Sequence, residues 1–210
     1  MAQLKRHPLK VYDTPSSYFK SYVETLSEAA ETLDPAQMEK CVALIEKTIK
    51  TGGTIYSCGN GGSAAIANHL QCDFSKGVST GTGLVPKVVS VSSEISTITA
   101  IANDISYAEV FAFQLKLYLK PGDLVLCISS SGNSPNIVNA LKVAKSKSVP
   151  SILFCGFDGG DGVKHADISL HFALENYGII EDLHQMSMHA IAQYLRHRHI
   201  PMDDIAKTKF

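Results

Sequence analysis

TIYSCGNGGSAAIANHLQCDFS, residues 54–75, carries three signals in succession. Residues 54–59 are a short, largely apolar run closed by a glycine, the pattern of a buried strand. Asn60, Gly61, Gly62 and Ser63 then make a loop of small residues. From Gly62 to Ser75 the chain reads as a helix, with His69 and Asp73 four residues apart. Strand, glycine loop and helix in that order form the repeating unit of a parallel α/β sheet, with the loop at the carboxyl end of the strand. At that place backbone N–H groups and the positive end of a helix can face an anion. His69 and Asp73 share one helix face, with Cβ atoms about 5–6 Å apart. That spacing alone fits a surface ion pair as well as a metal or proton-transfer site.

Working outward, the alternation continues. PKVVSVS (86–92), DLVLCIS (123–129), PSILFCG (150–156) and DISLHFA (167–173) read as four further strands. Helical patterns lie between them at 93–104, 107–120 and 134–148, and a last helix from about Gly178 to Arg196 carries several histidines. Before the first strand, residues 16–33 place Tyr18, Tyr22, Leu26 and Ala29 or Ala30 on one helical face. A second helix follows, with Asp34 as N-cap, Pro35 at its first position and Gly52–Gly53 as its stop. The pattern predicts one α/β domain over 1–210, a three-layer sandwich with a five-stranded parallel sheet between helices. Residues 1–53 supply an arm and two N-terminal helices, and 54–210 the sheet core and C-terminal helix. Residues 1–14 read as a loosely packed extension, and 77–87 and 156–167 as the most mobile loops.

The 210 residues are 45% hydrophobic and 19% charged, with a formal net charge of −1. Nothing in that balance draws the chain to nucleic acid or to an anionic membrane. The N-terminus lacks the apolar core of a signal peptide, and no run approaches the roughly 20 apolar residues of a membrane span. Five cysteines, an odd number without CxxC spacing, argue against both a disulfide framework and a cysteine zinc site. The expectation is a cytoplasmic protein with reduced, mostly buried thiols.

A second loop, ISSSGNSPN (128–136), follows the third strand. Neither it nor GNGGSA matches the Walker or dinucleotide patterns, and each alone reads equally as a simple capped turn. Together, at two strand exits of one sheet, they point to a phosphate.

GNGGSAA with its following His69, Asn103–Asp104 and SSSGNS at 129–134 resemble the sugar isomerase (SIS) domain family, over nearly the whole chain. The first loop with its histidine is similar to the phosphoheptose isomerase branch. The resemblance implies an SIS-type fold and an aldose–ketose isomerase converting sedoheptulose 7-phosphate to D-glycero-D-manno-heptose 7-phosphate through an enediol. It places substrate contacts on Asn60, Gly61, Gly62, Ser63, Asn103, Asp104 and Glu181, with Ser129, Ser130, Ser131 and Ser134 on the phosphate. It implies one zinc ion per subunit on His69, Asp73, Glu181 and His189, with Asp73 as the base and His189 as the acid. It also implies a homotetramer with interfacial active sites.

Four positions depart from the branch: Asp73 stands for a Glu, Glu181 for a Gln, Gly77 for an Arg, and Gly178 for an acidic residue. Both carboxylates still offer oxygen ligands. Eight residues of helix rise about 12 Å and turn about 80° past the starting face, so spacing alone pairs Glu181 with His184 or Gln185 rather than His189. Another phosphosugar substrate, or a non-catalytic SIS regulator of the kind that binds the bacterial replication initiator, is the alternative. His197 and His199 read as solvated surface.

Overall fold

The computed structural model describes residues 4–205, together with 207 and 209. After a two-residue strand β1 (Lys5–Arg6) come α1 (Pro15–Ala30) and α2 (Pro35–Lys50). Next are β2 (Thr54–Gly59), α3 (Gly62–Cys72), a π-helical turn (Asp73–Val78) and β3 (Lys87–Ser90). The chain continues through α4 (Ile95–Asp104), α5 (Val110–Tyr118), β4 (Leu124–Ser129) and α6 (Pro135–Ser146). It ends with β5 (Ser151–Cys155), β6 (Ile168–His171), β7 (Leu174–Glu175), α7 (Tyr177–His199) and α8 (Met202–Ile205).

The expected five strands form one parallel sheet in the order β3-β2-β4-β5-β6. β4 lies at its centre and is buried along its whole length. Leu124, Leu126 and Ile128 of β4 face a core shared with α2, α3 and α7. Val125 and Cys127 face the other core, shared with α4, α5 and α6. A strand covered on both faces favours apolar residues along its length, which is why 124–128 is an unbroken apolar run with no alternation. Among the described residues no helix is long and apolar enough to cross a membrane. Cys58 and Cys127 meet across the sheet at 3.5 Å, and the five cysteines are free thiols.

Three segments differ from the sequence reading. The extension is anchored rather than loose: Lys5 and Arg6 pair in parallel with Leu174 and Glu175 of β7. His7 is buried among Tyr12, Tyr18 and Tyr22, and its carbonyl accepts from Asn176 Nδ2 at 2.7 Å. Residues 1–3 of that extension lie outside the described residues. The 156–167 loop is bound to its neighbours: Gly156 N–H donates to Ser130 O, Gly162 N–H to Gly132 O, and Asp161 N–H to Asn133 Oδ1 at 2.8 Å. His199 is not solvated surface. Its Nε2 lies 2.9 Å from the buried Glu46 carboxylate, beside Arg198 and Lys50. The Lys50 hydrogen bond, assisted by His199 and Arg198 and opposed by burial, holds Glu46 below the usual carboxylate range. His197 is exposed, as expected.

Under the start of α7, His184 is fully buried, 6.0 Å from the Phe154 ring and 6.1 Å from that of Phe172. Neither ring nitrogen finds a hydrogen-bond partner of normal geometry. Burial pulls its pKa down from 6.5 to about 4, the Cys155 backbone opposing without cancelling the shift. The folded ring stays neutral while the unfolded one takes up a proton, so this contribution is present above pH 6.5 and is lost as pH falls toward 4. We expect the wild type to lose about 2 kcal/mol more stability than His184→Leu between pH 7.5 and 5, measured by urea unfolding at both values. Equal losses in the two proteins would place the acid sensitivity elsewhere.

Candidate functional site

β2 and β4 are neighbours, paired Gly59 to Ile128 at their carboxyl ends, and the strand order reverses direction between them. Open α/β sheets bind ligands at such a point. The two loops therefore meet, and between them lies a cavity of about 100 Å³. Asn60, Ser63, Ser129, Ser130, Ser131 and Ser134 line it, with Tyr177 and Glu181 of α7. α3 and α6 both begin there, so two helix N-termini face the same small space.

The loop residues show why these types are needed. Gly61, the N-cap of α3, has φ +54°, a left-handed conformation that glycine adopts without strain. Gly62 is approached closely by the Glu181 carboxylate, at a distance that a side chain at 62 would occupy. Ser129 Oγ and Ser131 Oγ accept from Gly132 N–H and Asn133 N–H, both at 3.2 Å, and so shape the second loop. Ser134 caps α6 without a side-chain hydrogen bond, and the Ser130 hydroxyl is buried with no partner. A buried orphan hydroxyl beside two helix starts fits an anion.

The two loops are clamped to each other. Asn60 Nδ2 donates to Asn136 Oδ1 and Asn136 Nδ2 to Asn60 Oδ1, both at 2.9 Å, and Tyr107 OH adds a third bond to Asn60 Oδ1 at 3.0 Å. Asn136 is 1% exposed.

The second cluster sits farther along α3. His69 lies in the last turn of that helix, and Asp73 opens the π-helical turn that replaces the regular continuation expected to Ser75. Burial of Phe74 and Val78 seats the turn on the core, and widened turns of this kind recur at functional sites. Asp73 Oδ1 lies 3.1 Å from His69 Nε2, and Oδ2 lies 3.4 Å from His189 Nε2 on α7. The two imidazole nitrogens are 3.4 Å apart. Gln185, one turn earlier on α7, brings its amide nitrogen to 2.8 Å from His189 Nε2.

Ligand atoms of His69, Asp73 and His189 lie within 4.8 Å of one another, so this trio could hold a metal ion. Glu181 stands apart from it. Its carboxylate rests against Gly62 in the loop cavity, where burial, with the nearby Asp182 charge, raises its pKa. Asn103 and Asp104 are exposed at the end of α4, bonded to each other at 2.8 Å and outside the cavity lining. Beside Asp73 a cleft is lined by Lys76, Gly77 and Arg196.

The sequence model of the SIS domain matches residues 17–155, and the fold and paired loops place the chain among SIS-domain proteins. Over 189 residues it is 34% identical to phosphoheptose isomerase of Colwellia psychrerythraea, spanning 89% of this chain and 95% of that one. The structure matches phosphoheptose isomerases of Neisseria gonorrhoeae (TM-score 0.77, 28% identity, 87% of this chain and 96% of the other) and Francisella tularensis (0.78, 27%, 87% and 96%). The chain belongs to the phosphoheptose isomerase family.

The sequence reading missed Asn136, Tyr107 and Tyr177, and it named Gln185 as a partner of Glu181 and not of His189. Only Gln185 carried a signal, its helical spacing from Glu181 and His189. Asn136 and Tyr107 act on Asn60 from 76 and 47 residues away, a relation no local pattern reports. Asn136→Ala removes both amide bonds and is expected to cost about 1–3 kcal/mol, against about 0.5–1.5 kcal/mol for Tyr107→Phe. Chemical denaturation of the two variants checks the order; no loss of stability in Asn136→Ala would show that the clamp is not structural.

Proposed function

We propose that this chain interconverts sedoheptulose 7-phosphate and D-glycero-D-manno-heptose 7-phosphate. The observation that carries the reading is the position of the two clusters at opposite ends of α3. Gly62 and His69 are separated by about 10 Å of helix rise. An extended seven-carbon sugar phosphate spans about the same length from its first carbon to its phosphorus, at roughly 1.5 Å per bond before zigzag. The phosphate would sit among Ser130, Ser131, Ser134 and the start of α3, with Ser129 shaping the loop. The first two carbons would then lie beside His69, Asp73 and His189, with Asn60, Gly61, Gly62, Ser63, Asn103 and Asp104 contributing further contacts.

Asp73 acts as base, taking a proton from the first carbon, while His189 delivers one to the neighbouring carbonyl oxygen to form the enediol. Reversal on the other carbon completes the exchange: His189 removes the proton from the first oxygen and Asp73 returns one to the second carbon. No net proton is consumed. His69 steadies Asp73 through the bond to Oδ1.

Two imidazoles and a carboxylate are a donor set that suits zinc. His69, Asp73 and His189 would hold such an ion, which would supply Lewis-acid polarisation of the sugar carbonyl. Glu181 joins that set only by leaving Gly62.

The homotetramer reading is supported by an apolar groove of about 290 Å³ between α2 and α7, lined by Met38, Val42, Ile191 and Tyr194. The free thiols accord with a reducing cytoplasm. A second reading, another phosphosugar as substrate, follows from the departures at Asp73, Gly77 and Glu181. Coupled assays across five- to seven-carbon sugar phosphates distinguish the two.

Asp73→Asn and His189→Ala are each expected to lower turnover about 100-fold or more, the scale of losing a general acid or base. Ser131→Ala and Ser134→Ala should raise KM more than they lower kcat, as phosphate contacts are mainly binding contacts. Full activity in the first pair, or unchanged KM in the second, would refute the assigned roles. Elemental analysis of untagged protein should find close to one divalent ion per subunit, released on acidification because imidazole binds metal only when neutral. Protein that takes up no zinc and isomerises normally in chelator would rule out a metal role.

A further inference from the structure

A carboxylate stands inside the anion cradle. Glu181, near the start of α7, lines the same cavity as Ser63, Ser130 and Ser134. Its side chain is pressed against the first residue of α3: a Cβ added to Gly62 would fall 2.6 Å from Glu181 Oε1 and closer still to Oε2. The carboxylate thus stands beside the helix start, inside the cavity that an incoming anion would enter. It stands there without satisfying the cavity, because the Ser130 hydroxyl, on a residue 5% exposed, stays unpartnered. A phosphate brings more acceptor oxygens to the same donors, but it cannot share so small a space with a second negative charge.

We propose that Glu181 is an intramolecular competitor for the phosphate: its carboxylate holds the cradle when no substrate is bound, and a phosphorylated ligand enters only as Glu181 swings away from Gly62. The inference rests on the phosphosugar reading above and adds a selectivity device to it. Glu181 raises the threshold for every anion alike, so that inorganic phosphate is rejected while a sugar phosphate gains entry through the additional contacts of its sugar.

Inorganic phosphate is the probe, titrated calorimetrically into the full chain as purified and into two variants. Glu181→Gln removes the charge and keeps the shape; Glu181→Ala removes both. Like charges about 5 Å apart at an effective dielectric near 20 repel by more than a tenfold change in affinity requires. Both variants should therefore bind phosphate at least about tenfold more tightly than the wild type. Adding Ser134→Ala to Glu181→Gln should remove that gain. Affinity in both single variants equal to or weaker than wild type would overturn the competitor role and leave the phosphate cradle standing. A gain that survives Ser134→Ala would place the phosphate elsewhere and likewise overturn it. Absence of phosphate binding in all the proteins would overturn the cradle itself, and the competitor role with it.

Discussion

The pairing of β2 with β4 is the constraint on which the rest depends. These strands are separated in sequence by three α-helices and another strand, yet they lie side by side, with Gly59 opposite Ile128. Each exits into a loop of small residues and then a helix. Their adjacency turns two ordinary capped turns into one enclosure with two positive helix ends aimed at it. The fully buried, apolar β4 makes the arrangement stable, since it cannot move without exposing both cores. The reciprocal Asn60–Asn136 amide pair then fixes the loops at the edge where the sheet ends.

The same geometry distributes chemistry along α3. Its first residue faces the enclosure, and its last turn carries His69 toward α7. Packing of α7 across α3 on one face of the sheet supplies His189 near one end and Glu181 near the other. The eight-residue gap between those two α7 residues, which is awkward for a shared ligand, is natural for residues serving two clusters. Asp73 can face both histidines because it opens a π-helical turn with its side chain only partly exposed.

Much of this was legible in the chain itself. Strand and helix alternation, the glycine stop after α2 and the paired loops follow from local rules of periodicity and turn chemistry, and the structure carries them. The elements that escaped were those defined by distant partners. Lys5–Arg6 looked like a loose arm because two residues show no period, and its partner strand lies at Leu174–Glu175. His199 looked like surface because its partner Glu46 sits on α2. The 156–167 segment looked mobile because glycines and aspartates mark loops, while its order comes from backbone bonds to the serine loop. Glu181 was grouped with the histidines by resemblance, and the rise of α7 separates it from them.

The contact between β1 and β7 also orders events in time. Arg6 and Glu175 are 169 residues apart, so the first strand to be synthesised has no partner until almost the whole chain has emerged. At ribosomal rates of about 5–20 residues per second, that wait is on the order of ten to thirty seconds. During this interval Lys5 and Arg6 lack their ladder partners, and the His7 carbonyl lacks its bond from Asn176. The arm therefore finds its partner only after all five strands of the main sheet have been synthesised, with α7 still to follow.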